Sequence, residues 1–240
     1  EAFEGLDNGA ALKSNFIVIV NDNDMSIAEN HGGLYGNLKE LRETKGQAQC
    51  NFFKALGYDY LYVDNGNNIE DLIKAFTQVK DATCPTIVHI HTLKGHGLSV
   101  AEENKEAFHW VMPGILDEKS TQVEPAPVVE DYNSITKDFI LKKAKEDKTV
   151  IAVNAATPGV FGFDTKFRNE LGKQYTDVGI AEEHAATFAA GLAISGKHPY
   201  LCVYSSFLQR AYDQINHDIA RMDLPVVIGI DHVGLVGGDG

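Results

Sequence analysis

Five short apolar runs punctuate the chain, at residues 16–20, 86–90, 149–153, 200–204 and 226–230. Each is rich in Val and Ile and nearly continuous rather than alternating, the pattern of strands covered on both faces in a parallel sheet. Helical periodicity fills the intervals. Ile69, Leu72, Ile73, Phe76 and Val79 make one apolar stripe behind Asn68, a natural N-cap. Phe207, Ala211, Tyr212, Ile215 and Ile219 make another. Strands alternating with helices predict an α/β fold with doubly wound, mainly parallel sheets.

The alternation fails once. Residues 117–133 hold Pro125, Pro127, several acids and little periodicity, so they read as a connection between two units, with Ser134 placed to cap a helix running to about Glu146. The expected division is residues 1–121, a linker at 122–133, and residues 134–240. Ligands in such sheets gather beyond the carboxyl ends of the strands. That rule directs attention to residues 21–25, 91–97, 205–210 and 231–240.

Composition narrows the functional classes. The 240 residues include 34 Asp and Glu against 21 Lys and Arg, a formal charge of −13. No cluster of cations is available to neutralise phosphates, so a nucleic-acid partner is not expected. Cys50, Cys84 and Cys202 are scattered and form no C-x-x-C pair, which fits a reducing cytoplasm rather than a disulfide or thiolate-zinc framework. No apolar run has the length of a membrane span, and the first residues lack the basic region of a signal peptide. The absence of an initiator Met raises the expectation that residues precede Glu1.

Three segments carry candidate chemistry. Asn21-Asp22-Asn23-Asp24-Met25 follows the first strand and offers amide, carboxylate and backbone oxygens, the donors magnesium takes. An Asx-rich turn closing the strand accounts for the same residues. Asp177-Val178-Gly179-Ile180-Ala181-Glu182-Glu183-His184 leads into a run of small residues suited to a helix packed close to its neighbours. Its two acids are either first-turn residues favoured by the helix dipole or a carboxylate tuned by burial. Tyr204-Ser205-Ser206-Phe207-Leu208-Gln209-Arg210 passes from strand to helix, where Phe207 is either a core anchor or a stacking platform for a flat heterocycle. Among nine histidines, His89 and His91 share one strand face, but spacing supplies no third zinc ligand. His109, between Phe108 and Trp110, is open to a packing role or a proton-transfer role.

In this order along the chain the segments resemble the 1-deoxy-D-xylulose-5-phosphate synthases, a group of transketolase-like thiamine-diphosphate enzymes. The resemblance runs through Ala2-Phe3-Glu4-Gly5 and residues 21–27, 94–97, 101–102, 177–191, 204–213 and 234–240. The pair 177–191 and 204–213 is its most specific part. It implies that Asn23 and the carbonyl of Met25 coordinate a magnesium ion bridging the cofactor diphosphate. Glu182 would hydrogen-bond the aminopyrimidine and so promote deprotonation of the thiazolium carbon. Phe207 would stack on the pyrimidine with Arg210 nearby, and Leu98 would lie near the cofactor. His109 matches a proton-transfer histidine; Tyr204, His232 and Asp239 fall on positions lining the substrate pocket. The implied reaction joins pyruvate to glyceraldehyde 3-phosphate with loss of carbon dioxide, feeding isoprenoid, thiamine and pyridoxal synthesis. Residues 1–121 would then be the C-terminal part of a diphosphate-binding domain and residues 134–240 the N-terminal part of a pyrimidine-binding domain, in a cytoplasmic homodimer.

The sequence departs from that pattern in four ways. The Gly-Asp-Gly that supplies a second metal ligand would lie before Ala2, and Gly238-Asp239-Gly240 belongs to a different, substrate-side loop. A histidine and a third domain would lie beyond Gly240. His232 stands where an acceptor-phosphate Arg is usual, and imidazole is a weaker, pH-dependent partner than a guanidinium fork. Leu98 replaces an aromatic residue and Asn67 stands where His is common. The region after Tyr35 is also short. The 240 residues alone are therefore expected to be inactive, and two alternatives stand beside the synthase: a transketolase-like ketol transferase, and an α/β piece acting only as a binding module.

Overall fold

The computed structural model describes residues 2–111 and 131–235. Two compact units are present, Glu1–Val111 and Met112–Gly240. The expected linker, residues 122–133, falls almost wholly outside the described residues.

In the first unit, helix α1 (Ala2–Ala11) precedes β1 (Ile17–Asp22), α2 (Gly33–Glu43), α3 (Phe52–Leu56), β2 (Asp59–Val63), α4 (Ile69–Val79), β3 (Thr86–His91) and α5 (Ser99–Glu103). The sheet is parallel throughout, in the order β1-β3-β2. Along β3, Ile87 packs with Leu38, Leu41 and Phe53 on one face, and Val88 and Ile90 pack with Val63, Ala75 and Val79 on the other. Helices thus cover both faces, as the doubly wound reading expects.

The second unit runs α6 (Tyr132–Glu146), β4 (Val150–Asn154), a 3₁₀ turn (Pro158–Phe161), α7 (Thr165–Leu171), β5 (Tyr175–Asp177), α8 (Glu182–Ile194), β6 (His198–Tyr204), α9 (Ser205–Leu208), α10 (Tyr212–Gln214), a π-helical turn (Ile215–Ala220) and β7 (Val227–Asp231). Its parallel sheet has the order β5-β4-β6-β7. Ile151 and Val153 face α8, while Val150 and Ala152 face α6 and α7.

Several expectations need correction. Continuous apolar runs mark β3 and β4, every residue of which is buried or nearly so, but β1 and β7, outermost among the described strands, have exposed positions such as Ile19 and Ile230. The stripe on α4 is rotated: Leu72, Ala75, Phe76 and Val79 face the sheet, whereas Ile69 and Ile73 are 68% and 58% exposed. Asn68 does cap that helix, accepting from the amides of Glu70 and Asp71. The second stripe does not lie on one regular helix. Residues 205–220 pass through α, 3₁₀, α and π turns, which bury Ala211 and Ile219 but leave Tyr212 exposed. Helix α6 is capped by Asp131, whose carboxylate accepts from the Ser134 amide, so Ser134 lies inside the first turn rather than at its cap.

Candidate functional site

Each unit presents a cluster at the carboxyl ends of its strands. In the first, β1 ends in the 21–25 turn. The Asp22 carboxylate accepts from the Asp24 amide at 3.1 Å and the Asn23 side-chain oxygen from the Met25 amide at 3.1 Å. These are Asx turns, and they bear out that reading of the segment. The turn places Asp24 in the left-handed region, at φ 62°. Asn23 and Met25 are half-buried. The Asn23 oxygen has a second lone pair, and the Met25 carbonyl is a neutral oxygen on the same turn.

A network missed in the sequence surrounds this turn. Arg42, in the last turn of α2, reaches the Asp22 carboxylate at 2.6 Å and also pairs with Asp24. From β3, His89 Nε2 meets the same Asp22 oxygen at 2.9 Å, and the Tyr60 hydroxyl meets His89 Nδ1 at 2.6 Å. Burial alone would raise the Asp22 pKa. Hydrogen bonds from His89 and Arg42 outweigh it and push the value down to about 2. His89, fully buried and engaged through both ring nitrogens, is a core histidine rather than half of a zinc pair.

The loop after β3 closes on the same end of the sheet. Lys94 Nζ donates to the carbonyls of Ser26 at 2.6 Å and Ile27 at 3.1 Å, tying this loop to the one that follows Met25. Asn67 accepts from the Leu93 amide at 2.8 Å. Leu98 is the partly exposed N-cap residue of α5. His109 is exposed, and desolvation, reinforced by the Lys94 charge, holds its imidazole below the ordinary pKa.

In the second unit, strand register aligns Asn154 with Asp177 and Cys202, and Tyr204 with Asp231. Asp177 accepts from the amides of Ala156 and Gly179 at 3.0 and 2.9 Å, which fixes the approach to α8. Glu182 is the first residue of α8 and only 2% exposed, with Arg210 Nη1 at 3.3 Å from its Oε2. Behind it, Ala185, Ala186, Ala189, Ala190 and Ala193 are buried, the close packing that the small residues predict. Phe207 is half-buried, its ring centroid 5.0 Å from that of Tyr204. The other side of the cluster is His232, whose ring stacks on Tyr204 at 4.3 Å, 23° between planes. His232 has φ 54°, and its carbonyl accepts from the Ser205 hydroxyl at 2.5 Å. The structure therefore gathers Glu182, Tyr204, Phe207, Arg210 and His232 toward the carboxyl end of one sheet; Asp239 lies outside the described residues.

Sequence comparison assigns the two units in order. Residues 1–51 and 44–92 match the family model for 1-deoxy-D-xylulose-5-phosphate synthase, and residues 131–240 match that for the transketolase pyrimidine binding domain. The synthase of Listeria monocytogenes is 40% identical over 246 residues, covering 100% of this chain and 40% of its own length. Along its whole length the chain is similar to the 1-deoxy-D-xylulose-5-phosphate synthases. Synthase 1 of Geobacter sulfurreducens is 37% identical over 276 residues, and the synthase of Haemophilus ducreyi 35% over 273, each alignment taking in 100% of the chain. The chain spans about two fifths of the length of these relatives (40%, 43% and 44%). The split match around residues 44–51, with alignments longer than the chain itself, agrees with a short region after Tyr35. Transketolases from Campylobacter jejuni and Pichia stipitis align over 95% of this chain and 44% of theirs, at 15% and 13% identity and TM-scores of 0.32 and 0.38. Likeness at that level adds no weight to the sequence matches. Among the described residues no helix is long and apolar enough to cross a membrane.

Proposed function

We propose that the protein carrying this chain condenses pyruvate with glyceraldehyde 3-phosphate, releasing carbon dioxide and forming 1-deoxy-D-xylulose 5-phosphate, with thiamine diphosphate and magnesium as cofactors. The observation that carries the reading is Glu182, a carboxylate 2% exposed at the start of α8, in a chain 40% identical along its whole length to a named synthase. The residues fit the cofactor. Asn23 and the Met25 carbonyl offer hard neutral oxygens on one turn, and Glu182 offers a buried carboxylate able to hold a proton against a ring nitrogen.

When bound, thiamine diphosphate supplies the electron sink that lets the carboxylate of pyruvate leave as carbon dioxide. The chain's own residues orient and protonate. Asn23 and Met25 hold the magnesium. Glu182 would hold the aminopyrimidine nitrogen by a hydrogen bond, with Arg210 beside the carboxylate. Phe207 offers its ring to the pyrimidine, and Leu98 contributes an apolar contact to the cofactor. His109, its imidazole held below the ordinary pKa, takes or returns a proton at the substrate. Tyr204, His232 and Asp239 line the acceptor's pocket. The reading includes a homodimer working in the cytoplasm, with residues 1–121 and 134–240 contributing to diphosphate-binding and pyrimidine-binding domains on either side of a linker at 122–133.

The test is product formation by the protein in its full length, given pyruvate, glyceraldehyde 3-phosphate, thiamine diphosphate and Mg²⁺. Deoxyxylulose phosphate with one carbon dioxide per product is expected. Ketol transfer between sugar phosphates without carbon dioxide would replace this reading with the transketolase-like one.

A further inference from the structure

We propose that Arg42 is a positioning residue for the divalent-cation site, clamping the two carboxylates that flank Asn23 so that the neutral oxygens of Asn23 and Met25 are the ones presented. This rests on the metal assignment made above. Asn23 lies between Asp22 and Asp24, and left to themselves these two carboxylates would compete for any cation brought to the turn. Arg42 engages both. Its side chain is 9% exposed, and its planar fork serves two acceptors at fixed geometry. His89 holds the same Asp22 oxygen, and its ring is in turn held by Tyr60. The result is a hydrogen-bonded chain from β2 through β3 to β1 that meets α2 at the turn. Asp24 sits at φ 62°, an uncommon conformation for a residue with a side chain, and its pairing with Arg42 opposes relaxation out of it. The role is separable from folding in one respect. Asp24 is exposed, with 60% of its side chain accessible, so cutting its link to Arg42 disturbs the turn without opening the core.

The experiment compares wild type, Arg42→Met, Arg42→Lys and Asp24→Asn in the full-length protein. Mg²⁺ binding is measured by titration calorimetry at saturating thiamine diphosphate, alongside circular dichroism and turnover against Mg²⁺ concentration. Arg42→Met is expected to weaken Mg²⁺ at least tenfold and to raise the Mg²⁺ concentration needed for half-maximal turnover. Arg42→Lys, with one point charge for two carboxylates, and Asp24→Asn are each expected to weaken it about threefold. If Arg42→Met does not fold, the other two variants decide. Folded variants that bind Mg²⁺ as wild type does, or whose turnover falls without any change in Mg²⁺ affinity, overturn the proposal. Wild-type binding of Mg²⁺ with the cofactor, but no product from pyruvate and glyceraldehyde 3-phosphate, overturns the proposed reaction and leaves the clamp standing on the calorimetry. Wild type that binds no Mg²⁺ in the presence of the cofactor overturns both.

Discussion

Replacing Asp22 by Asn tests the buried network through its dependence on pH. The substitution keeps the shape and the acceptor of the side chain but removes its charge, so it mimics the protonated carboxyl. In the folded chain the Asp22 pKa is about 2, against an ordinary value of 3.8. A folded-state pKa below the unfolded one gives stability that is fully present above the unfolded value and lost as pH falls through the folded one. At pH 7 that depression corresponds to about 2 kcal/mol, shrinking to roughly half of that at pH 3 and to a few tenths near pH 2. The side chain is 3% exposed, so solvent screening takes little from the figure. Hydrogen exchange at the amides of Val88 and Ile90, in the central strand of the first unit, reads the opening free energy of that unit. Asp22→Asn should lower it by about 2 kcal/mol at pH 7 and by about half as much at pH 3. A loss below about 0.5 kcal/mol at pH 7, or one of equal size at both pH values, would refute the claim that His89 and Arg42 stabilise an ionised carboxylate there.

Other consequences are equally open to measurement. Glu182→Gln in the full-length protein should cut turnover by about 10²- to 10⁴-fold with thiamine diphosphate still bound, and turnover within threefold of wild type would remove Glu182 from its assigned role. His232→Arg should lower KM for glyceraldehyde 3-phosphate severalfold, since a guanidinium fork grips a phosphate more firmly than an imidazole; an unchanged KM would count against His232 as the phosphate partner. Ala189→Leu forces a larger side chain into a fully buried contact and should cost about 1–3 kcal/mol in urea unfolding, an effect absent if α8 stands off the sheet. Asn68→Ala should cost about 1 kcal/mol through the lost cap of α4, with no effect on any ligand.

How much of this was legible in the sequence followed from what each residue has to do alone. β3, β4 and β6 were readable because covering both faces demands an unbroken apolar run. β2 was hidden because Tyr60 and Tyr62 carry polar ends, one of which serves His89, and β5 because three residues are too few to show a period. The α4 stripe was placed wrongly because Ala75, small enough to sit against the sheet, carries little hydrophobic signal, while Ile69 and Ile73 carry much and face solvent. Glu182 and Phe207 stood out in local motifs. Arg42 did not, since a cation in the last turn of a helix ordinarily answers the helix dipole, and its partners lie 18 and 20 residues away.

The alanine face of α8 bears on how the site behaves with temperature. Long side chains surrender rotamer freedom when they are packed, a cost that grows in proportion to absolute temperature; alanine has none to surrender. The face that holds α8 to β6 is built from Ala185, Ala186, Ala189 and Ala190, with Ala193 continuing it. Ordering these residues therefore carries almost no side-chain entropy. The helix that begins at Glu182 is fastened by the contact least taxed by warming, and the second unit should lose order at its half-exposed strand β7 before it loses the carboxylate's seat.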